Sequence, residues 1–270
     1  MVITRHVEAR AVLADTRYVP PPVRQDAPPY TLGWLRARVS RFSSGEAHAE
    51  RRRALEERLA ELDPATLRRR ARAATLERDG DWRGVPTQVL AAALGVPAPV
   101  ALVEAVAAGY LSGEETPGTD AAVAELFRLP GDGPSVITDL TLLLQAHAAT
   151  EGLIANALTH EGGAGVKGLL RETLRHDPPL KVTRRVDRAT GEEVVIDLVA
   201  ANRDPAVFAD PERFDASRGE CPHLTFGHGV RPCPASAHAL ALAAGVLDAL
   251  RAAPRQLTSE RPVSDQREDS

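Results

Sequence analysis

The chain has 270 residues, of which 43% are hydrophobic and 26% charged, with a formal net charge of −4. That is enough apolar material for one sizeable domain or two small ones, and the charge balance offers no basic field for nucleic acid or acidic lipid. No run approaches the roughly 18–20 apolar residues that cross a bilayer, and the start MVITRHVEAR carries no apolar signal core. The cytoplasm is therefore the expected compartment, with neither membrane nor nucleic acid as a partner.

In chain order, residues 1–17 are predicted helical, with Val7, Ala11, Val12 and Leu13 at roughly helical spacing. Pro20, Pro21, Pro22, Pro28 and Pro29 make 18–31 an irregular loop. Residues 33–78, rich in Arg, Glu, Ala and Leu, are helical territory broken near 43–45 and at Pro64. The basic clusters at 51–53 and 68–70 have Glu around them and suit a solvated, ion-paired helix face. A further helix over 85–94 stops at Gly95 and Pro97. One or two short helices fill 98–127 around a turn at Pro117 and Gly118. Ser135, after Gly133 and Pro134, is the expected cap of the longest helix, VITDLTLLLQAHAATEGLIANAL. Apolar residues surround most of that helix, which predicts a central, buried position.

A helix over 166–175 is stopped by Pro178 and Pro179, and β-branched residues flanking Thr190 and Gly191 predict a hairpin within 181–200. Residues 201–235 show few periodic signals, and a loop of that length usually carries function. An Ala/Leu helix covers 236–253, followed by a polar tail. The fold class is thus mainly α with a small β-sheet component: a single domain over 1–254 and a flexible tail over 255–270.

The long loop holds the sharpest chemical signal, FGHGVRPC at 226–233. Gly227 and Gly229 permit tight backbone bends, and Cys233 stands just before a helix, where free amides and the helix dipole favour thiolate over thiol. A thiolate is a good axial ligand for haem iron, and Arg231 is placed to pair with a propionate. The other cysteine, Cys221, reads as an incidental loop residue. His228 reads as a surface or propionate-side residue, His238 as a residue of the following helix with no special role, and Trp34, Trp82 and Tyr110 as packing residues.

The 226–233 run resembles the haem-binding loop of the cytochrome P450 superfamily, Phe-Gly-x-Gly-x-His/Arg-x-Cys-x-Gly. Further motifs follow in family order. Glu172 and Arg175 match its Glu-x-x-Arg helix, and PERF at 211–214 matches the segment whose Arg, here Arg213, completes a buried Glu–Arg–Arg network. ANRDP at 201–205 resembles the loop before it, His48 and Arg52 match the His-x-x-x-Arg pair, and 3–15 looks like the family's B helix. The resemblance implies a truncated P450 fold holding haem b (iron protoporphyrin IX) through the Cys233 thiolate. His48, Arg52, Arg185 and Arg231 would serve the propionates, with Phe226 in the cofactor loop.

Three departures from the family bear on activity. The chain starts at the B helix, and the span from Gly95 to Ser135, which usually supplies the roof over the substrate, is compressed. The acid and alcohol of the central helix fall on Ala148 and Ala149, leaving Thr150 and His147 as the catalytic candidates and Gln145 as another nearby polar group. Pro234 and Ala235 follow Cys233 where the family has x-Gly. The expectation is a P450-type monooxygenase or peroxide-dependent oxidase acting on a small organic molecule of specialised metabolism, with atypical oxygen activation and a redox partner. The alternatives are a non-oxidative auxiliary or structural partner of a biosynthetic enzyme, and a haem or gas sensor.

Overall fold

A computed structural model describes residues 1–129, 135–160 and 165–252. It is mainly helical with one small sheet. Strand β1 (Val2–Ile3) leads into α1 (His6–Ala14), and β2 (Tyr18–Val19) precedes the proline-rich loop. The helices α2 (Leu32–Arg36), α3 (Gly45–Ala60), α4 (Pro64–Glu77) and α5 (Val85–Leu94) follow, with a 3-10 turn at Ser40–Phe42. Next come α6 (Val100–Ser112), α7 (Pro117–Arg128), α8 (Val136–Leu158) and α9 (Val166–His176). The chain then forms β3 (Val182–Asp187), β4 (Glu193–Asp197), the short α10 (Leu198–Ala201) and α11 (Ser236–Ala252).

Local chemistry explains most boundaries. Asp63 caps α4 by accepting from the amides of Ala65 and Thr66, with Pro64 at the first helical position. Gly95 ends α5 at φ +71°, a left-handed cap that suits glycine. The expected cap at Ser135 is not made: its side chain bonds nothing at the helix start, and its carbonyl instead accepts the Asp139 amide at 2.8 Å.

The sheet order is β1-β4-β3-β2. Strands β3 and β4 form the predicted hairpin, with Thr183 opposite Ile196 and Gly191 at φ +75° in the turn. β1 pairs parallel with β4, Ile3 beside Ile196, and β2 pairs antiparallel with β3. The helical expectation for 1–17 is corrected here. Val2 and Ile3 are drawn into strand pairing with β4, and α1 buries His6, Ala9, Val12 and Leu13 while Val7 and Ala11 face solvent. The irregular expectation for 18–31 likewise gives way at Tyr18 and Val19. Ile3, Val12, Leu13, Val194, Ile196 and Leu224 close a small core between α1 and the sheet.

The main core is a bundle in which α4, α5, α8 and α11 pack on one another, with α9 against α8 and α11. Gly245 of α11 lets two helices touch, because a Cβ there would overlap the Arg68 carbonyl and press on Ala71 of α4. Central α8 buries Leu140, Leu143, Leu153 and Ile154 almost completely, as its all-round apolarity predicts. No described helix is long and apolar enough to cross a membrane. The polar tail and Gly133 and Pro134 lie outside the described residues.

Candidate cofactor-binding site

The cysteine loop is built by backbone closure. The Cys233 amide donates to the Phe226 carbonyl at 2.7 Å, and the Gly227 amide to Leu224 at 2.8 Å. Gly227 (φ +76°) and Gly229 (φ +65°) both need the left-handed region, and a Cβ on Gly229 would lie 2.5 Å from the Ala14 Cα. The loop is thereby seated on the end of α1, and Phe226 packs on the main core. Asn202, wholly buried, sets the approach: its side-chain oxygen accepts the Leu224 amide at 2.7 Å and its nitrogen donates to Thr225 at 2.9 Å. Asp204 pins the same segment to α1, accepting from the His6 amide at 2.9 Å and Arg5 at 3.1 Å. Both residues belong to the ANRDP run, whose side-chain roles are not visible in its sequence.

Burial pushes the Cys233 thiol up, while the Ala235 amide and the charges of Arg52 and Arg41 pull it down. The thiol is thus held in a dry place whose fixed charges favour the anion. Around it stand the four residues expected to serve an anion, three arginines and His48. Arg52 donates to the Pro232 carbonyl at 2.7 Å and to Glu56 at 2.6 Å, tying α3 to the loop. His48, also on α3, is lowered to about 4 by burial and by Arg231 and Arg52. Arg185 on β3 is lowered to about 10 by burial, with Arg231 and Arg41 adding repulsion. Arg231 is half-buried and lowered by burial and by Arg188 and Arg52, and its Nη1 is buried with no hydrogen-bond partner.

A buried guanidinium nitrogen without an acceptor costs free energy, and so does a cluster of like charges. Both costs vanish if an anion enters among His48, Arg185 and Arg231. The donor set therefore fits the paired carboxylates of a haem, beside a single cysteine able, once deprotonated, to ligate iron.

The α8 face separates the two catalytic candidates from the stripe that stays open. Gln145, Ala148, Ala149 and Gly152 are partly or fully exposed and share one helix face. His147 and Thr150 belong to the buried side instead. The His147 Nδ1 is 2.8 Å from the Thr87 hydroxyl on α5 and 3.9 Å from Glu151. The Thr150 hydroxyl is buried and unpartnered. The reason is angular: successive helical residues turn by about 100°, so Thr150 cannot share the face of Ala149.

The structural network also departs from expectation. Arg175 is wholly buried, bonds Glu172 at 2.6 and 2.9 Å, and donates to the carbonyls of Asn202, Pro211 and Arg213. Arg213, however, contributes only that carbonyl, since its side chain is 70% exposed and 3.8 Å from Asp215. The second arginine on Glu172 is Arg218, at 3.4 Å, with the Asp215 amide at 2.9 Å. The packing readings hold for Tyr110, Trp34 and Trp82, which all lie in or against the main core. His238 lies 3.0 Å from the Leu59 and Leu62 carbonyls, at the end of α3.

No protein-family model matches the chain. A biotin biosynthesis cytochrome P450 of Bacillus subtilis is 34% identical over 118 residues, covering 36% of this chain and 30% of that protein. A cyclomarin C epoxidase of Salinispora arenicola is 33% identical over 142 residues, covering 42% of this chain and 36% of that protein. The matches therefore span well under two thirds of these relatives. Among solved structures, P450BioI in complex with an acyl carrier protein ligated to hexadec-9Z-enoic acid superposes with TM-score 0.74 at 20% identity, covering 92% of this chain and 83% of that one. A P450 of Streptomyces coelicolor A3(2) gives TM-score 0.71 at 20% identity, with 92% and 82% covered.

Proposed function

We propose, for a chain that belongs to the cytochrome P450 superfamily, that residues 1–254 act as one haem-thiolate oxidoreductase domain working on a small organic molecule. The observation that carries this reading is the buried, unbonded Nη1 of Arg231 in the Cys233 loop, within reach of the charges of Arg188 and Arg52.

Haem b, when bound, supplies the oxidising chemistry, and the protein supplies ligand, orientation and shielding. Cys233 would supply the sulfur that holds the iron; burial favours its thiol, and the Ala235 amide, Arg52 and Arg41 offset part of that. Arg231, Arg185 and His48 would hold the propionates, while Arg52 fixes the loop through the Pro232 carbonyl. Phe226 anchors the loop's first turn by accepting the Cys233 amide. With the exposed stripe of α8 turned to the reacting side, its small residues would leave room for substrate but offer no acid. Proton delivery therefore falls to water, to Gln145 or to the substrate, and peroxide could replace O2 and reductase as the oxidant. A redox protein or a biosynthetic partner protein is the expected protein partner.

Ala148 and Ala149 on the open stripe favour one other reading, a P450-like auxiliary subunit of a biosynthetic enzyme that does not itself oxidise. Turnover separates the two. Haem-loaded protein supplied with peroxide, or with a reductase and O2, is expected to give an oxygenated product from a panel of small molecules. Tight binding to a partner enzyme with no oxygenated product would favour the auxiliary role. Arg231→Leu is expected to weaken haem binding about tenfold by removing one charge-assisted contact.

A further inference from the structure

Phe42, at the end of the 3-10 turn, gathers three polar groups around its ring. The Arg36 guanidinium carbon lies 4.4 Å from the ring centre, that of Arg41 5.9 Å, and the Tyr110 ring 5.7 Å. These come from α2, the turn and α6 respectively. The Tyr110 side chain is completely buried and its hydroxyl has no hydrogen-bond partner, although it is turned toward Gln145 on the open stripe of α8. Arg36 Nε is likewise buried and unbonded. Glu115 is the carboxylate that faces Arg36, and it is engaged by Arg24 at 3.1 Å. Arg41 is exposed and acts electrostatically on Tyr110 and Arg36 on one side and on Cys233 and Arg185 on the other.

Cation–π contact with one phenylalanine does not supply the acceptor that the buried Arg36 Nε requires. Leaving such donors unmade in a dry place is costly, and an anionic ligand removes the cost. The cluster borders the α8 stripe and lies within electrostatic reach of the thiolate, so a ligand held there would have its reactive part near the reacting centre.

We propose that Arg41 and Arg36, backed by Tyr110, form a subsite for the carboxylate of a small organic acid, so that the substrate is an anion. This rests on the haem-thiolate reading and names the substrate class of the same site.

The test uses haem-loaded full-length chain and two matched pairs of probes: decanoate with methyl decanoate, and 4-phenylbutyrate with its methyl ester. Calorimetric dissociation constants and ligand-induced Soret shifts are read in parallel. At least one acid is expected to bind about tenfold or more tighter than its ester. Arg41→Gln is expected to abolish the acid-over-ester preference while the thermal unfolding midpoint stays unchanged, because Arg41 is exposed. Tyr110→Phe is expected to reduce the preference part-way. Equal affinity for acid and ester in both pairs, no binding of any probe, or a preference that survives Arg41→Gln would each overturn the proposal. A thiolate-type reduced CO spectrum together with no acid preference overturns this inference alone. A chain that takes up no haem overturns both readings.

Discussion

Thr150 and Arg231 each bury a polar atom that bonds nothing, yet they call for opposite experiments. The Thr150 hydroxyl points into packed core, so Thr150→Val is expected to leave turnover unchanged and to hold or raise stability, by about 1 kcal/mol. A large loss of turnover would show that the hydroxyl takes part in the reaction. Arg231 faces other cations beside the cysteine loop, and an anion satisfies it. His223 gives a third residue-scale outcome. Its Nδ1 is unpartnered, and burial, with Arg171 nearby, lowers it to about 4. The unfolded chain takes up that proton near pH 6.5, so between about pH 6.5 and 4 it binds more protons than the folded one. Stability therefore falls as pH falls through this window. Denaturant midpoints at pH 7 and pH 5 are expected to differ less in His223→Gln than in the parent. The cysteine loop with its two left-handed glycines is legible in the sequence because such backbone bends follow fixed spacing. The choice of Arg218 over Arg213 is not, because both lie in a segment without periodicity and only its folded path decides which side chain returns to Glu172.

At the scale of elements, the Glu172–Arg175 pair locks α9 to the irregular segment 202–218 through backbone carbonyls. Glu172→Gln removes the negative charge opposite a wholly buried guanidinium and is expected to cost about 3–5 kcal/mol in denaturant unfolding. Arg218→Ala is expected to destabilise clearly, and Arg213→Ala to stay within about 0.5 kcal/mol, as exposed substitutions do. The reverse order would restore Arg213 to the network. Where α4 meets α11, Gly245→Ala forces two backbones apart and is expected to cost about 1–3 kcal/mol. The helices are legible from caps, stops and apolar spacing. The open stripe of α8 is not, since alanines at an opening and alanines in a core look alike in a helix that is apolar nearly all round. The strand at Val2 and Ile3 is hidden for a related reason: its pairing partner, β4, lies almost two hundred residues away.

For the whole molecule, the bundle and the α1–sheet unit bring the cysteine loop, α3 and β3 together, and each supplies one part of the cation cluster. Haem that binds the folded chain and not the unfolded one adds stability of about 4 kcal/mol at a thousandfold excess over its dissociation constant. The fold class and the chain's family resemblance are legible because several motifs keep family order. The substrate is not, because the span from α6 to α7 carries helix signals but no chemical motif. The most direct test of the central claim is the reduced CO-difference spectrum of the haem-loaded chain and of Cys233→Ala. A thiolate-type Soret band in the parent, lost in Cys233→Ala, is the predicted result. Haem uptake with an identical spectrum in both would contradict it.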